Sequence, residues 1–289
     1  MRLVAGPAKG YTRLISNISS ETVNNVLWLL TTLCILLYLF ATGLISSRLF
    51  HRDGPNSKLA RGLAIVALFI HCAVLYNDVI ATSGQNLSIT NVASVIAFLM
   101  ALTMTITITA QTNIYLIPVV YGFSALIVTM NALIPATYLM HIELQPSLLI
   151  HIGLALFAYG TLMIALLFAF QLNYINKKLK YKKISTLHSS LPSLMGVENT
   201  LFRILMAGTV LLSFSLLSGF IFLEDMFAQK QAHKTILSIA SWCIFVGILF
   251  AHRQFGWRGQ KVVMSTVVGT GLLTLAYFGT RIVKEVIIQ

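Results

Sequence analysis

Apolar residues in this chain come in long unbroken runs, with polar positions gathered between them rather than alternating through them. A bilayer crossing takes about 20 mostly apolar residues. Eight runs meet that need, near 26–45, 62–80, 91–109, 114–134, 148–172, 201–223, 235–252 and 262–282. The pattern predicts an all-α polytopic transmembrane bundle of about eight spans. A polar N-terminal tail, 1–25, precedes a single integral-membrane domain, 26–289. Residues 110–113 form a tight hairpin between the third and fourth runs. Pro118 falls in the first turn of the fourth, where a missing N–H costs little, and Pro135 ends it. The longest connection, 174–199, is also the most basic.

Composition agrees with this picture. Charged residues make up 10% of the chain, hydrophobic residues 57%, and the mean hydropathy is +0.84. A soluble domain carries roughly 25% charged residues, so this chain cannot cover a soluble surface. The net charge of +12 comes from 20 Lys and Arg against 8 Asp and Glu. The basic residues lie in short loops between spans, which suits anionic lipid and excludes nucleic acid as the partner. Of the 20, 13 fall on the side that receives the 174–199 loop and 7 on the other. The positive-inside rule then puts that loop in the cytoplasm and both termini outside. The run Lys177–Lys183 is either an orientation signal lying on anionic lipid or a site for an acidic partner. Cys34, Cys72 and Cys243 each stand alone in an apolar run and form no CxxC, so they read as inert buried thiols. Residues 1–25 lack the form of a secretory signal. No Walker loop, HExxH or Ser-His-Asp arrangement is present, and the expectation is a protein that is not an enzyme.

Ionisable residues inside spans are rare and functional by default, which singles out the histidines. His71 lies within the second span and His252 closes the seventh, both toward the predicted cytoplasmic side. A heme between them would have two neutral imidazole ligands. Its propionates would meet Arg253, Arg258 and Lys261 in the basic corner that follows, with arginine able to pair bidentately. The plain alternatives are a His71 bonded to a neighbouring helix and a His252 snorkelling to water. On the other side, His141 and His151 flank Pro146 and can share a site, as second heme ligands or as metal ligands with Glu143. Otherwise His141 is solvated and His151 packs. His51 and His188 lie in basic loops, and His233 is a lesser candidate for the outer site. Asp78 and Asn86 either line the mouth of a cavity or cap helix ends.

Three stretches carry a family resemblance: SGQNLSITNVAS (83–94), HIELQPSLLIHIGLALFAYGTLMIA (141–165) and AHRQFGWRGQKVV (251–263) with the later LAYFG (275–279). Together they resemble the cytochrome c assembly family of membrane proteins, which includes the CcsA heme-handling proteins and the HemX-like group. The likeness runs from about the first span to Ile282. It implies an eight-span heme-binding protein of the bacterial inner membrane, in which the outer side that the charge count assigns to both termini would be the periplasm. Its partners would be heme and membrane subunits of cytochrome c assembly or heme synthesis. By the resemblance, His252 before GWRG stands where that family has a transmembrane heme-ligand histidine, and His151 where it has an external one. Two departures weigh against delivery of heme to apocytochrome c. The 219–237 connection holds no tryptophan, where CcsA proteins have a tryptophan-rich segment, and the C-terminal tail has no histidine. A HemX-like role in support of heme synthesis suits those absences. Rival readings are a transporter permease component and a non-catalytic scaffold.

Overall fold

A computed structural model describes residues 8–49, 51, 54–80, 85–107, 113–134, 139–140, 146–180, 192–222 and 232–279, with side chains in the first helix described from 21 onward. Among these are eight α-helices: α1 (Ala8–Arg48), α2 (Ser57–Leu75), α3 (Ile89–Ile106), α4 (Ile117–Leu133), α5 (Pro146–Lys180), α6 (Leu194–Phe222), α7 (Ala232–Phe255) and α8 (Gln260–Thr274). A π-helical turn follows α2 at Tyr76–Ile80 and another follows α8 at Leu275–Gly279. Two short segments, β1 (Gln85–Asn86) and β2 (Leu139–Met140), pair antiparallel. The protein is an all-α polytopic bundle. Among the described residues, seven helices are long and apolar enough to cross a membrane. The eighth expected span, α4, is apolar but has 17 residues, about 25 Å at 1.5 Å per residue.

Helix ends follow local chemistry. The Asn56 side chain accepts from the Leu59 N–H to start α2, and the Ser88 hydroxyl does the same for Asn91 at the start of α3. Pro118 sits in the first turn of α4 as expected, and α4 stops at Leu133, ahead of Pro135. Three boundaries differ from the hydropathy reading. Helix α1 begins at Ala8, inside the stretch read as a tail. Helix α5 runs on to Lys180, so Lys177, Lys178 and Lys180 occupy its last turn, where cations complement the helix dipole. Helix α6 starts at Leu194, because Ser193 caps it through Gly196 N–H at 3.2 Å. The basic connection is therefore shorter than 174–199. A span boundary is set by capping and charge, which a hydropathy window does not see.

The helices close into two four-membered rings. Helix α1 packs on α2 and α4, and α3 completes the circuit against both. In the second half, α5 packs on α6 and α8, and α7 closes the circuit. The rings join where α3 lies against α5. Each helix buries one stripe, and large apolar side chains such as Leu29, Phe69, Phe220 and Ile221 remain exposed on the outside, as a lipid-facing surface requires. The core runs through α5, whose Leu162, Ile164, Ala165, Phe168 and Ala169 are fully enclosed.

Candidate functional site

His252 lies in the last turn of α7. Beyond it the chain reverses on glycines: Gly256 and Gly259 have φ of 62° and 63°, the left-handed region that glycine enters without a Cβ penalty. The reversal is held by Gly256 N–H donating to the His252 carbonyl at 3.1 Å and Trp257 N–H donating to the Ala251 carbonyl at 3.2 Å. It brings the Trp257 carbonyl over the imidazole, 2.8 Å from Nδ1. A carbonyl only accepts, so Nδ1 carries the proton and Nε2 keeps its lone pair. Phe202 of α6 stacks on the imidazole, with centroids 3.5 Å apart and planes at 17°. The Nε2 atom has no hydrogen-bond partner among the described residues.

His151, in the second turn of α5, repeats the arrangement at the opposite end of the ring. Its Nδ1 lies 2.9 Å from the Ser215 carbonyl and 3.0 Å from the Ser218 hydroxyl. The Ser218 hydroxyl proton goes to the Ser215 carbonyl at 2.8 Å, so both oxygens accept from His151 Nδ1–H. Again Nε2 is left as a free acceptor among the described residues. An imidazole tethered through Nδ1–H to a carbonyl, with Nε2 open, is the orientation in which histidine ligates a metal.

His71 is different. It is fully buried in the first ring, and both nitrogens are used: Nδ1 lies 3.3 Å from the Tyr38 hydroxyl and Nε2 lies 3.0 Å from the Ser94 hydroxyl. Tyr38 and Phe98 meet the ring edge-on, with centroids at 5.9 and 5.5 Å. His71 and His252 belong to different rings, and their hydrogen-bond and ring partners are different residues. Of the expected pair, only His252 presents a free nitrogen. His71 instead ties α2 to α1 and α3. His71→Leu is therefore expected to lower unfolding free energy by about 2 kcal/mol through two orphaned hydroxyls. The check is the melting temperature in detergent, which is expected to fall for His71→Leu and to be largely regained in His71→Asn.

Arg253, Arg258 and Lys261 are exposed at the reversal after α7, and the Lys261 ammonium lies 5.5 Å from the centre of the Trp257 ring. His141 and Glu143 lie outside the described residues, as does His188. His51 and His233 are exposed. Asp78 belongs to a polar knot. Its carboxylate accepts from Asn77 at 3.3 Å and from Asn131 of α4 at 3.0 Å. Asn91 donates to the Asp78 and Asn86 carbonyls at 3.2 and 3.0 Å. Among the described residues no three or more His, Cys, Asp or Glu gather as a metal site.

Of the residues that aim the two imidazoles, Trp257 lies in the GWRG stretch already singled out, while Phe202, Ser215 and Ser218 carry no motif of their own. One more is hidden in the sequence: Glu198, inside α6, is 9% exposed and its Oε1 has no hydrogen-bond partner among the described residues.

Comparison with known proteins places this geometry in context. Residues 59–288 match the family described as Cytochrome C assembly protein. The chain is 37% identical over 257 residues to the inner membrane protein YpjD of Escherichia coli strain K12, covering 88% of this chain and 97% of that one. It is 29% identical over 141 residues to an uncharacterised 28.8 kDa protein of Azospirillum brasilense, covering 48% and 52% of the two chains. No solved structure matches.

Proposed function

The chain belongs to the cytochrome c assembly protein family, and from that premise we propose that it is an inner-membrane heme-handling protein whose α5–α8 ring holds heme through His252 at one end and His151 at the other. The observation that carries this reading is the shared tethering of the two imidazoles. Each gives Nδ1–H to a backbone carbonyl and leaves Nε2 open, and the interiors of four-helix groups are where cofactors are ordinarily built in.

The residues present fit a heme. Nε2 of a neutral imidazole is an axial ligand, Phe202 fixes the plane of the His252 ring, and Arg253 and Arg258 stand beside that end to pair with propionates. Heme bound there would supply an iron that the protein holds rather than a reaction that it catalyses. His252 and His151 would orient it, and the apolar stripes of α5 to α8 would keep water from it. Among the described residues neither imidazole has an acid–base partner beside it, which favours a carrier or holder over an enzyme. The absence of tryptophan from 219–237 favours retention in the membrane, or HemX-like support of heme synthesis, over presentation to apocytochrome c. The partners in that role would be membrane subunits of cytochrome c assembly or heme synthesis, and the 174–199 side would face the cytoplasm.

The test is the absorption spectrum of detergent-purified protein expressed with excess heme. The expected result is a Soret band that co-elutes with the protein and shifts on reduction. A colourless protein under those conditions sinks the reading.

A further inference from the structure

We infer that Glu198 makes the His252 end of the ring selective for a porphyrin with a positively charged metal centre, ferric heme rather than ferrous or metal-free. This rests on the heme reading above and adds to it the charge of the ligand.

Glu198 stands four residues before Phe202 in α6. Side chains at that spacing are neighbours on a helix surface, with Cβ atoms about 5–6 Å apart. Phe202 is the ring stacked on His252, so carboxylate and imidazole are separated by one aromatic side chain. The direction of Glu198 follows from its neighbours around the helix. At 3.6 residues per turn, Phe202 and Ser213 share the side of α6 that meets α7, through His252 and Trp242. Gly208 marks the side that meets Leu162 of α5. Glu198 falls between those two sides, and the exposed residues Met206, Val210, Phe214 and Leu217 lie around the other way. It therefore projects into the interior of the ring.

A carboxylate there is expensive. It is more than nine-tenths buried, and its Oε1 accepts nothing among the described residues. Among the described residues, Lys177, Lys180, Arg203, Arg253, Arg258 and Lys261 of this end are exposed, and the half-buried Lys178 lies over the Tyr174 ring. Buried polar groups are ordinarily satisfied, and a buried charge is ordinarily paired. A ligand completes this one. With propionates held by the exterior arginines, the charge at the metal centre is the part of a heme that Glu198 would favour. Ferric heme carries one net positive charge at that centre, and ferrous heme and the metal-free porphyrin carry none. One unit of charge about 10 Å from a carboxylate at an effective dielectric near 20 is worth roughly a tenfold change in affinity.

Gallium(III) and zinc(II) protoporphyrin IX isolate this effect. They share the macrocycle and both propionates, differ by one unit of charge at the metal, and neither is redox-active. Their affinities for the purified full chain in nanodiscs would be measured for wild type and Glu198→Gln. The expected wild-type preference is about tenfold for gallium, falling to near unity in Glu198→Gln, with zinc affinity unchanged to show that the variant is folded. No gallium preference in wild type overturns the inference, even if the variant does not fold. A preference that survives Glu198→Gln overturns it equally. If neither porphyrin binds wild type, the heme reading itself fails and this inference goes with it.

Discussion

His252→Ala is expected to lose heme from the α7–α8 end, with affinity there falling by a hundredfold or more. Removing a group that only orients a metal ligand already costs about 10–100-fold, and the ligand itself costs at least that. His151→Ala should empty the opposite end independently, because each histidine has its own tether. The double variant should be colourless, while each single variant keeps part of the absorbance. Added imidazole should restore the spectrum of His252→Ala, which a folding defect would not allow. The tether of His252 can be tested without touching the ring. Gly256 has φ of 62°, where a β-branched residue is strongly disfavoured. Gly256→Val should shift the Trp257 carbonyl off Nδ1 and weaken heme binding by about tenfold at that end alone. Equal loss at both ends in any single variant would refute two separate stations.

Gly208→Leu is expected to be the most destabilising single change in the ring. A Cβ at Gly208 would lie 2.8 Å from both Cγ and Cδ2 of Leu162, and 3.4 Å from its backbone nitrogen. Leu162 is fully enclosed and has nowhere to swing. Close approach of helices in a membrane depends on small residues at such points, and overpacking a core costs typically 1–3 kcal/mol. A full leucine side chain should sit at the upper end, about 3 kcal/mol, seen as a lower melting temperature in detergent. Gly208→Ala should cost less, because alanine regains about 1 kcal/mol of helix propensity over glycine. Adding Leu162→Ala should recover part of the Gly208→Leu loss. Without that coupling, the α5–α6 contact is not where the strain arises.

The bundle was legible because hydrocarbon imposes one demand on every span, and eight apolar runs answer it. The ring structure was not, since hydropathy carries no information about which helices touch. His71 and His252 looked equivalent as polar points in apolar runs. Only their neighbours separate them: two hydroxyls close on His71, and one carbonyl closes on half of His252. The resemblance singled out His252 and His151 through the residues around them, and the tethers supply a physical reason for both. Glu198 went unnoticed because the boundary of α6 was drawn too late. The sequence around it, LMGVENT, is mixed enough to pass for a loop. Pro192-Ser193 ahead of it is a start signal of the kind that ordinarily opens a helix, and reading it would have put an acidic residue inside a span.

Helix α6 touches both histidines, and so serves as a ruler between them. Ser215 and Ser218 hold His151, and Phe202 stacks on His252. From Phe202 to Ser215 is 13 residues of unbroken helix, roughly 20 Å at 1.5 Å per residue. No one iron atom can be ligated by both imidazoles across that gap. The buried face of the stretch between, with Leu205, Gly208, Thr209 and Leu212, offers no ionisable foothold on α6; Arg203 is exposed on the outside. On the proposed heme-handling reading, heme passing from one histidine to the other would have to part the helices or leave by the lipid side, and the route becomes a kinetic question that the reading raises.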